Sequence, residues 1–277
     1  MAEFRLAVKP ILRSSMLLWA VLVLWPAGLM AQLQTAGGIP PADLVQNILL
    51  GGGVQVWNVN LTGSGMAYGS FTANNTNLGL NSGILLTTGM ISGPNGPQGP
   101  NNRPDAGVDN SFQGSALLNA EFGFSQPTFN ATTLSFNFIP QGDSIAFRYV
   151  FGSEEYREFV GSEFNDVFGF FISGPNPAGG NYQNQNIARL PNGTKVAINN
   201  VNHLTNSQFY VDNELPSPGM SLQYDGFTRV LTARAKVIPC STYTIRLAIA
   251  DVADGIYDSG VFLEAKSFTS DGLSMYY

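Results

Sequence analysis

The chain has 277 residues, 44% of them hydrophobic and only 12% charged, with 31 Gly and 16 Pro. That composition excludes a disordered acidic tail and suits one large, turn-rich β domain with a substantial core. A formal net charge of −6 offers no basic footprint for a phosphate backbone, so nucleic-acid binding is excluded as a leading reading.

Residues 1–31 have the three-part form of a secretory signal peptide. Arg5, Lys9 and Arg13 form a basic region, LLWAVLVLWPAGLM an apolar stretch broken at Pro26, and Ala31 a small residue before Gln32. The stretch is short and broken for a spanning helix, and no second run of spanning length follows. The expected mature chain, 32–277, is a single domain that carries no membrane span after cleavage and is more acidic than the precursor. Cys240 is the only cysteine. It allows no intrachain disulfide, no CxxC metal site and no lipoprotein anchor at the cleavage point. Its place before an apolar strand predicts a buried, inert thiol.

In PPADLVQNILLGGG, Leu44, Val45, Ile48 and Leu49 share one helical face, Pro41 suits the first turn, and Gly51–Gly53 stop the helix. GVQVWNVNL follows with a phase slip between Val54/Val56 and Trp57/Val59/Leu61, which predicts a β-bulge. NSGILLTTGMI reads as a strand. SGPNGPQGPNNRPDAGVDN, within 92–110, has no apolar period and reads as a surface loop. Leu134, Phe136 and Phe138 alternate with polar residues, PQGD turns, and Ile145, Phe147, Tyr149 and Phe151 alternate again; the pattern predicts a hairpin with one buried face. VFGFFIS is apolar on both faces, as in a strand covered from both sides. Residues 176–226 read as long Asn-rich loops with one or two edge strands. Further strands are expected at RVLTARAKVI, YTIRLAIADV and GVFLEAKSF. The fold class is therefore all-β, a β-sandwich or jelly-roll-like domain with long loops and one or two short helices.

FRYVFGSEEYREFVGSEFNDVFGFFISGP, at 147–175, closely resembles the signature of the choice-of-anchor L domain. Four more stretches agree in order: LVQNILLGGGVQVWNV, LGLNSGILLTTG, SLQYDGFTRVLTA and YTIRLAIADVADGIYDSGVFLEAKSF. Together they span about 42–268. The resemblance implies an exported bacterial surface protein of a type common in the Bacteroidota, secreted or held outside the outer membrane. It implies a varied sorting or anchoring segment after the domain and supplies no catalytic residues. A fragment, a freely released protein and one retained by a partner are all compatible expectations for this chain.

The segment between the two aromatic runs at 147–171 gathers Glu154, Glu155, Glu158, Glu163 and Asp166 against a single Arg157. Calcium is one reading, because Ca²⁺ takes six to eight carboxylate, amide and backbone oxygens. Glu154, Glu155, Asn165 and Asp166 with Asp251, Asp254 and Asp258 of DVADGIYDSG are the candidate ligands, although the spacing is not an EF-hand. A second reading is a carboxylate pair among Glu154, Glu155, Asp166 and Asp258 for glycoside hydrolysis. The lone His203 lies in a polar stretch and no GxSxG elbow is present. The third reading is structural: a solvated strand corner, with Arg157 pairing one glutamate and Asp166 capping a turn. Tyr149, Tyr156, Phe159 and Phe164 could stack on a sugar or simply pack. The function expected from all this is an exported, non-enzymatic β-sandwich module for adhesion or ligand binding, Ca²⁺-stabilised, with a glycan or protein surface ligand. The alternative is a carbohydrate-active enzyme or lectin-like domain using the acidic corner at 154–166.

Overall fold

The computed structural model describes residues 33–103, 105–214 and 221–270; the expected signal segment 1–31 lies outside them. Two antiparallel sheets face each other. The larger has nine strands: β1 (Gln34–Ala36), β3 (Tyr68–Thr72), β4 (Ser82–Thr87), β13 (Ser259–Glu264), β6 (Ser144–Ser153), β10 (Gly226–Thr228) and β9 (Tyr210–Asp212) in spatial order, with β11 (Leu231–Lys236) and β14 (Thr269–Ser270) also pairing β6. The smaller has five, in the order β2 (Val54–Thr62), β5 (Thr128–Pro140), β12 (Tyr243–Val252), β7 (Val167–Pro175) and β8 (Asn181–Asn186). The all-β sandwich read from the sequence is the fold.

Side-chain alternation builds three apolar layers from these two sheets. Ile145, Phe147, Tyr149 and Phe151 of β6 face Phe168, Phe170, Leu247 and Ile249 across the central core. Phe147 stacks on Phe268 with ring centroids 4.3 Å apart. The outer face of the large sheet carries a second cluster that includes Leu85, Val150, Phe262, Leu222 and Tyr224. The outer face of the small sheet carries a third, in which Val167, Phe171 and Ala248 meet Leu118. Strand β7 is therefore buried on both faces, as its unbroken apolar run predicts.

The expected hairpin at 134–151 is not one. Strands β5 and β6 belong to different sheets: β5 pairs β2 and β12, while β6 pairs β10, β11, β13 and β14. A strand with one buried face looks the same in sequence whether its successor lies beside it or across the core, so alternation could not separate a hairpin from an inter-sheet corner.

The β2 bulge is present, with a register shift between Trp57 and Asn60 and Asn58 at φ 51°. The helix at 41–49 begins as an α-turn, Pro41–Asp43, and continues as a π-helix, Leu44–Leu49, whose end donates from Leu50 N–H to the Val45 carbonyl. Leu44, Val45 and Leu49 are buried. A second helix, Ala116–Phe122, is not among the expected elements; Ser115 caps it by accepting from Leu118 N–H, and left-handed Gly123 ends it. The Asn-rich 176–226 region supplies edge strands β8 and β9 as expected.

Two environments differ from expectation. The described residues of the 92–110 segment, 92–103 and 105–110, have no helix or strand, yet Gly96, Pro97, Gly99, Asn101 and Ala106 are buried, so this is not simply a surface loop. It packs against 221–225, with Gln223 N–H donating to the Pro97 carbonyl at 2.9 Å. Cys240 is exposed rather than buried. It occupies the left-handed turn into β12, at φ 60°, where its side chain points out of the fold. No helix among the described residues is long and apolar enough to cross a membrane.

Candidate functional site

Four connections meet at one end of the sandwich. Pairing of Ser259 with Ser153 and of Gly260 with Thr87 brings together the ends of β6 and β4 and the start of β13. Pairing of Ala250 with Val167 and of Val252 with Thr128 adds the end of β12 and the starts of β7 and β5. The segments 154–166 and 253–258 thus converge, under cover of 88–103 and 105–110 and beside 213–214 and 221–225. Six acids of these connections and their flanks have almost no solvent contact: Glu154, Glu155, Asp166, Asp225, Asp251 and Asp258 are all 4% exposed or less. The solvated-corner reading is overturned.

Asp166 stands at the centre. Its Oδ1 accepts from Val252 N–H at 3.0 Å and its Oδ2 from Ser259 Oγ at 2.7 Å, while its own N–H reaches Glu155 Oε2 at 3.3 Å. It ties β12 to β13 instead of capping its own turn. Asp251 Oδ2 accepts from Asn130 Nδ2 at 3.0 Å. Asp258 Oδ1 accepts from Val108 N–H at 3.1 Å. A Cβ at Gly89 would overlap the Asp258 carboxylate, so the carboxylate can lie there only because that residue is glycine. Thr88 Oγ1 accepts from Ser259 N–H at 2.9 Å, and Asn110 Nδ2 donates to the Thr88 carbonyl, which closes the cover.

Three buried oxygens here accept nothing: Asp251 Oδ1, Asp258 Oδ2 and Asn130 Oδ1. Among the described residues, no lysine or arginine forms an ion pair with Glu154, Glu155, Asp166, Asp251 or Asp258. Burial raises every one of these carboxyls above its ordinary range. Asp166 is pushed up to about 7 and Asp258 to about 8; burial, and after it the Asp166 charge, also raises Glu155 and Asp251. A buried carboxylate needs a proton, a cation or a full set of donors. Donors are too few here, which leaves the proton and the cation.

The candidate ligands divide. Glu155, Asp166, Asp251 and Asp258 form one group, with half-buried Asp254 near enough to raise both Glu155 and Asp166. Asn165 is already engaged, its Oδ1 accepting from Asn199 N–H at 2.9 Å. Asp254 Oδ1 accepts from Ile256 N–H at 3.2 Å. Glu154 faces another way: burial raises its carboxyl most, then Asp225, and Asp258 less. Asp225 belongs to SLQYDGFTRVLTA, a motif read for family resemblance and not for its acid. Glu158 and Glu214 also join this second side, where one oxygen from each of Glu158, Glu214 and Asp225 lies within 4.8 Å of the others.

Arg157 pairs neither Glu154 nor Glu155. Its guanidinium lies 3.7 Å from Asp212 and 3.8 Å from Glu214. Left-handed backbone at Arg157, φ 74°, turns it away from the strand end. Tyr149 and Tyr156 are fully buried and cannot offer a sugar-stacking face. Phe159 packs on Phe164 and Tyr257, with centroids 5.4 and 5.3 Å away. The nearby pocket, about 190 Å³, is lined by Glu163, Asn165, Asn199 and Val252 among others, but by none of the buried acids. Among the described residues, the Asp166 group is buried but does not bring three carboxylate oxygens within 4.8 Å of one another, as Glu158, Glu214 and Asp225 do.

Fold and site together define a β-sandwich with a buried, acid-rich end, and the sequence comparison supplies its family. The profile of the choice-of-anchor L domain matches residues 34–269, and the chain belongs to that family. No curated protein and no solved structure matches it significantly. The family name points to a surface-anchored protein, and the family is not an enzyme family.

Proposed function

We propose that this chain is an exported, non-enzymatic surface module whose acidic end holds a structural Ca²⁺, and that the rigid sandwich serves adhesion or binding of a surface glycan or protein. One observation carries the calcium reading: among the described residues, Asp251 Oδ1, Asp258 Oδ2 and Asn130 Oδ1 are buried acceptors without donors, in a group of carboxylates that no lysine or arginine pairs. Carboxylate, amide and hydroxyl oxygens are hard ligands, and no histidine or thiol stands among them. That donor set suits Ca²⁺ over Zn²⁺. Glu155, Asp166, Asp251 and Asp258 would bind it, with Asn130 and Thr88 as neutral oxygens. The ion would supply the charge that this end lacks and lock 88–110 and 253–258 to the strands. Membership of the choice-of-anchor L family supports the surface address.

The test is thermal unfolding of the purified protein in EDTA and then in excess Ca²⁺. At 100 times the dissociation constant the ion adds about 2.7 kcal/mol, a rise of several degrees for a domain of this size. An unchanged midpoint would sink the calcium reading.

A further inference from the structure

The second acidic group lies on the far side of Glu154. Glu158 comes from the turn after β6, Glu214 from just past β9 and Asp225 from just before β10. Pairing of Gly226 with both Asp212 and Ser153 sets those three places side by side. The same register makes Glu154 and Asp225 the next residues along the β6–β10 ladder. One carboxylate oxygen of each of Glu158, Glu214 and Asp225 lies within 4.8 Å of the other two. Arg157 reaches Asp212 and Glu214 and forms no ion pair with Glu158 or Asp225. Asp225, which is buried, accepts from Asn101 Nδ2 at 2.8 Å, a neutral donor.

Glu154 is the independent observation. It is 2% exposed, and among the described residues neither of its carboxylate oxygens has a hydrogen-bond partner. Gln223 lies beside it but gives its amide hydrogens to Asn101 Oδ1 at 3.1 Å and the Arg103 carbonyl at 2.8 Å. The register of β6 with β10 sets Glu154, with its two orphaned oxygens, opposite Asp225 of that cluster. Acids brought this close in a folded chain are relieved either by a proton or by a cation between them, and Arg157 reaches only Glu214 of the four.

We propose that Glu154, Glu158, Glu214 and Asp225 form a second divalent-cation site, selective for Ca²⁺. All of its donors are carboxylate oxygens, and Ca²⁺ accepts irregular oxygen shells where Mg²⁺ demands a tight octahedron. Glu158 is exposed, so the ion exchanges from the surface. It fastens the turn after β6 to β9 and β10, strands of the large sheet that the Asp166 group does not touch. This inference stands apart from the site proposed above.

Calorimetric titration of the EDTA-stripped protein with Ca²⁺ tests it. We expect two equivalents in the native protein. The variant Glu158→Gln/Glu214→Gln, altered at positions outside the core, loses one equivalent and keeps the other; Asp251→Asn loses the other. A single equivalent that persists in Glu158→Gln/Glu214→Gln and vanishes in Asp251→Asn overturns this inference and leaves the Asp166 site standing. A single equivalent with the opposite pattern supports the inference and removes the Asp166 site. No binding overturns both.

Discussion

Glu154 and Glu155 are adjacent in sequence and serve opposite sides of the acidic end. Glu154 lies against Asp225, and Glu155 against Asp166, whose N–H it accepts at 3.3 Å. The strand ladder ends between them: Glu154 N–H still bonds the Asp258 carbonyl at 3.0 Å, while Glu155 N–H turns to Ser153 Oγ at 2.9 Å. The turn after β6 therefore sends one carboxylate to each group.

Neutralising either glutamate has a predictable, paired effect. In EDTA above neutral pH, Glu154→Gln and Glu155→Gln each remove a buried acid that has no cation partner, so each raises the unfolding midpoint, by an amount on the order of 1 kcal/mol. In Ca²⁺ each shrinks the ion-induced shift. Denaturant melts of both variants with and without Ca²⁺ check this; a loss of stability in EDTA for both would show that the acids are stabilising without an ion.

Glycine at position 89 is required by its neighbour. A Cβ there falls inside the Asp258 carboxylate, whereas one at Gly65 meets nothing within 4 Å. Gly89→Ala must push Asp258 or the 88–110 cover outward, at a cost of about 1–3 kcal/mol. Gly65→Ala stays within about 0.5 kcal/mol of the parent. Equal urea midpoints for the two variants would show that the Asp258 carboxylate is free to move.

Cys240 is exposed at a left-handed turn and makes no disulfide. A thiol in that position reacts in the native state, so one equivalent of a thiol reagent is consumed without denaturant, at a rate close to that of a free cysteine. Reaction only after unfolding would place the thiol inside. The Cys240→Ser variant should match the parent in stability to within about 0.5 kcal/mol.

Much of the fold was legible because burial is periodic. Strands β5, β6, β7, β11, β12 and β13 all stand where alternation or an unbroken apolar run put them. The β5–β6 connection was not legible, since Ile145 and Phe136 face the core in either topology. The acids were legible as a cluster, because Glu154, Glu155 and Asp166 share one connection and Asp251, Asp254 and Asp258 another. Their burial was not, because the cover comes from 88–110, a segment whose Pro, Gly and Asn content reads as exposed. Asp225 and Glu214 were missed for a similar reason. They reach the site through the β9–β10–β6 pairing, which no local pattern encodes.

The pH dependence of the stripped protein follows from the direction of the carboxyl shifts. Burial holds Asp166 at about 7 and Asp258 at about 8, and raises Glu155 and Asp251 as well. In the unfolded chain an aspartate titrates near 3.9. Between those values the native protein keeps protons that the unfolded chain has released. Stability from these groups is thus complete below about pH 4 and is lost as pH rises through about 7 to 8, at up to about 1.4 kcal/mol per pH unit for each proton. In EDTA the melting midpoint should fall between about pH 5.5 and pH 8.5, where most other carboxylates no longer titrate. With Ca²⁺ saturating, binding requires the ionised carboxylates and strengthens with pH, so the same interval should be flat or rising. An EDTA midpoint that climbs across this interval would mean that these buried acids are stabilised as anions by the protein alone, and the Asp166 site would then need no ion.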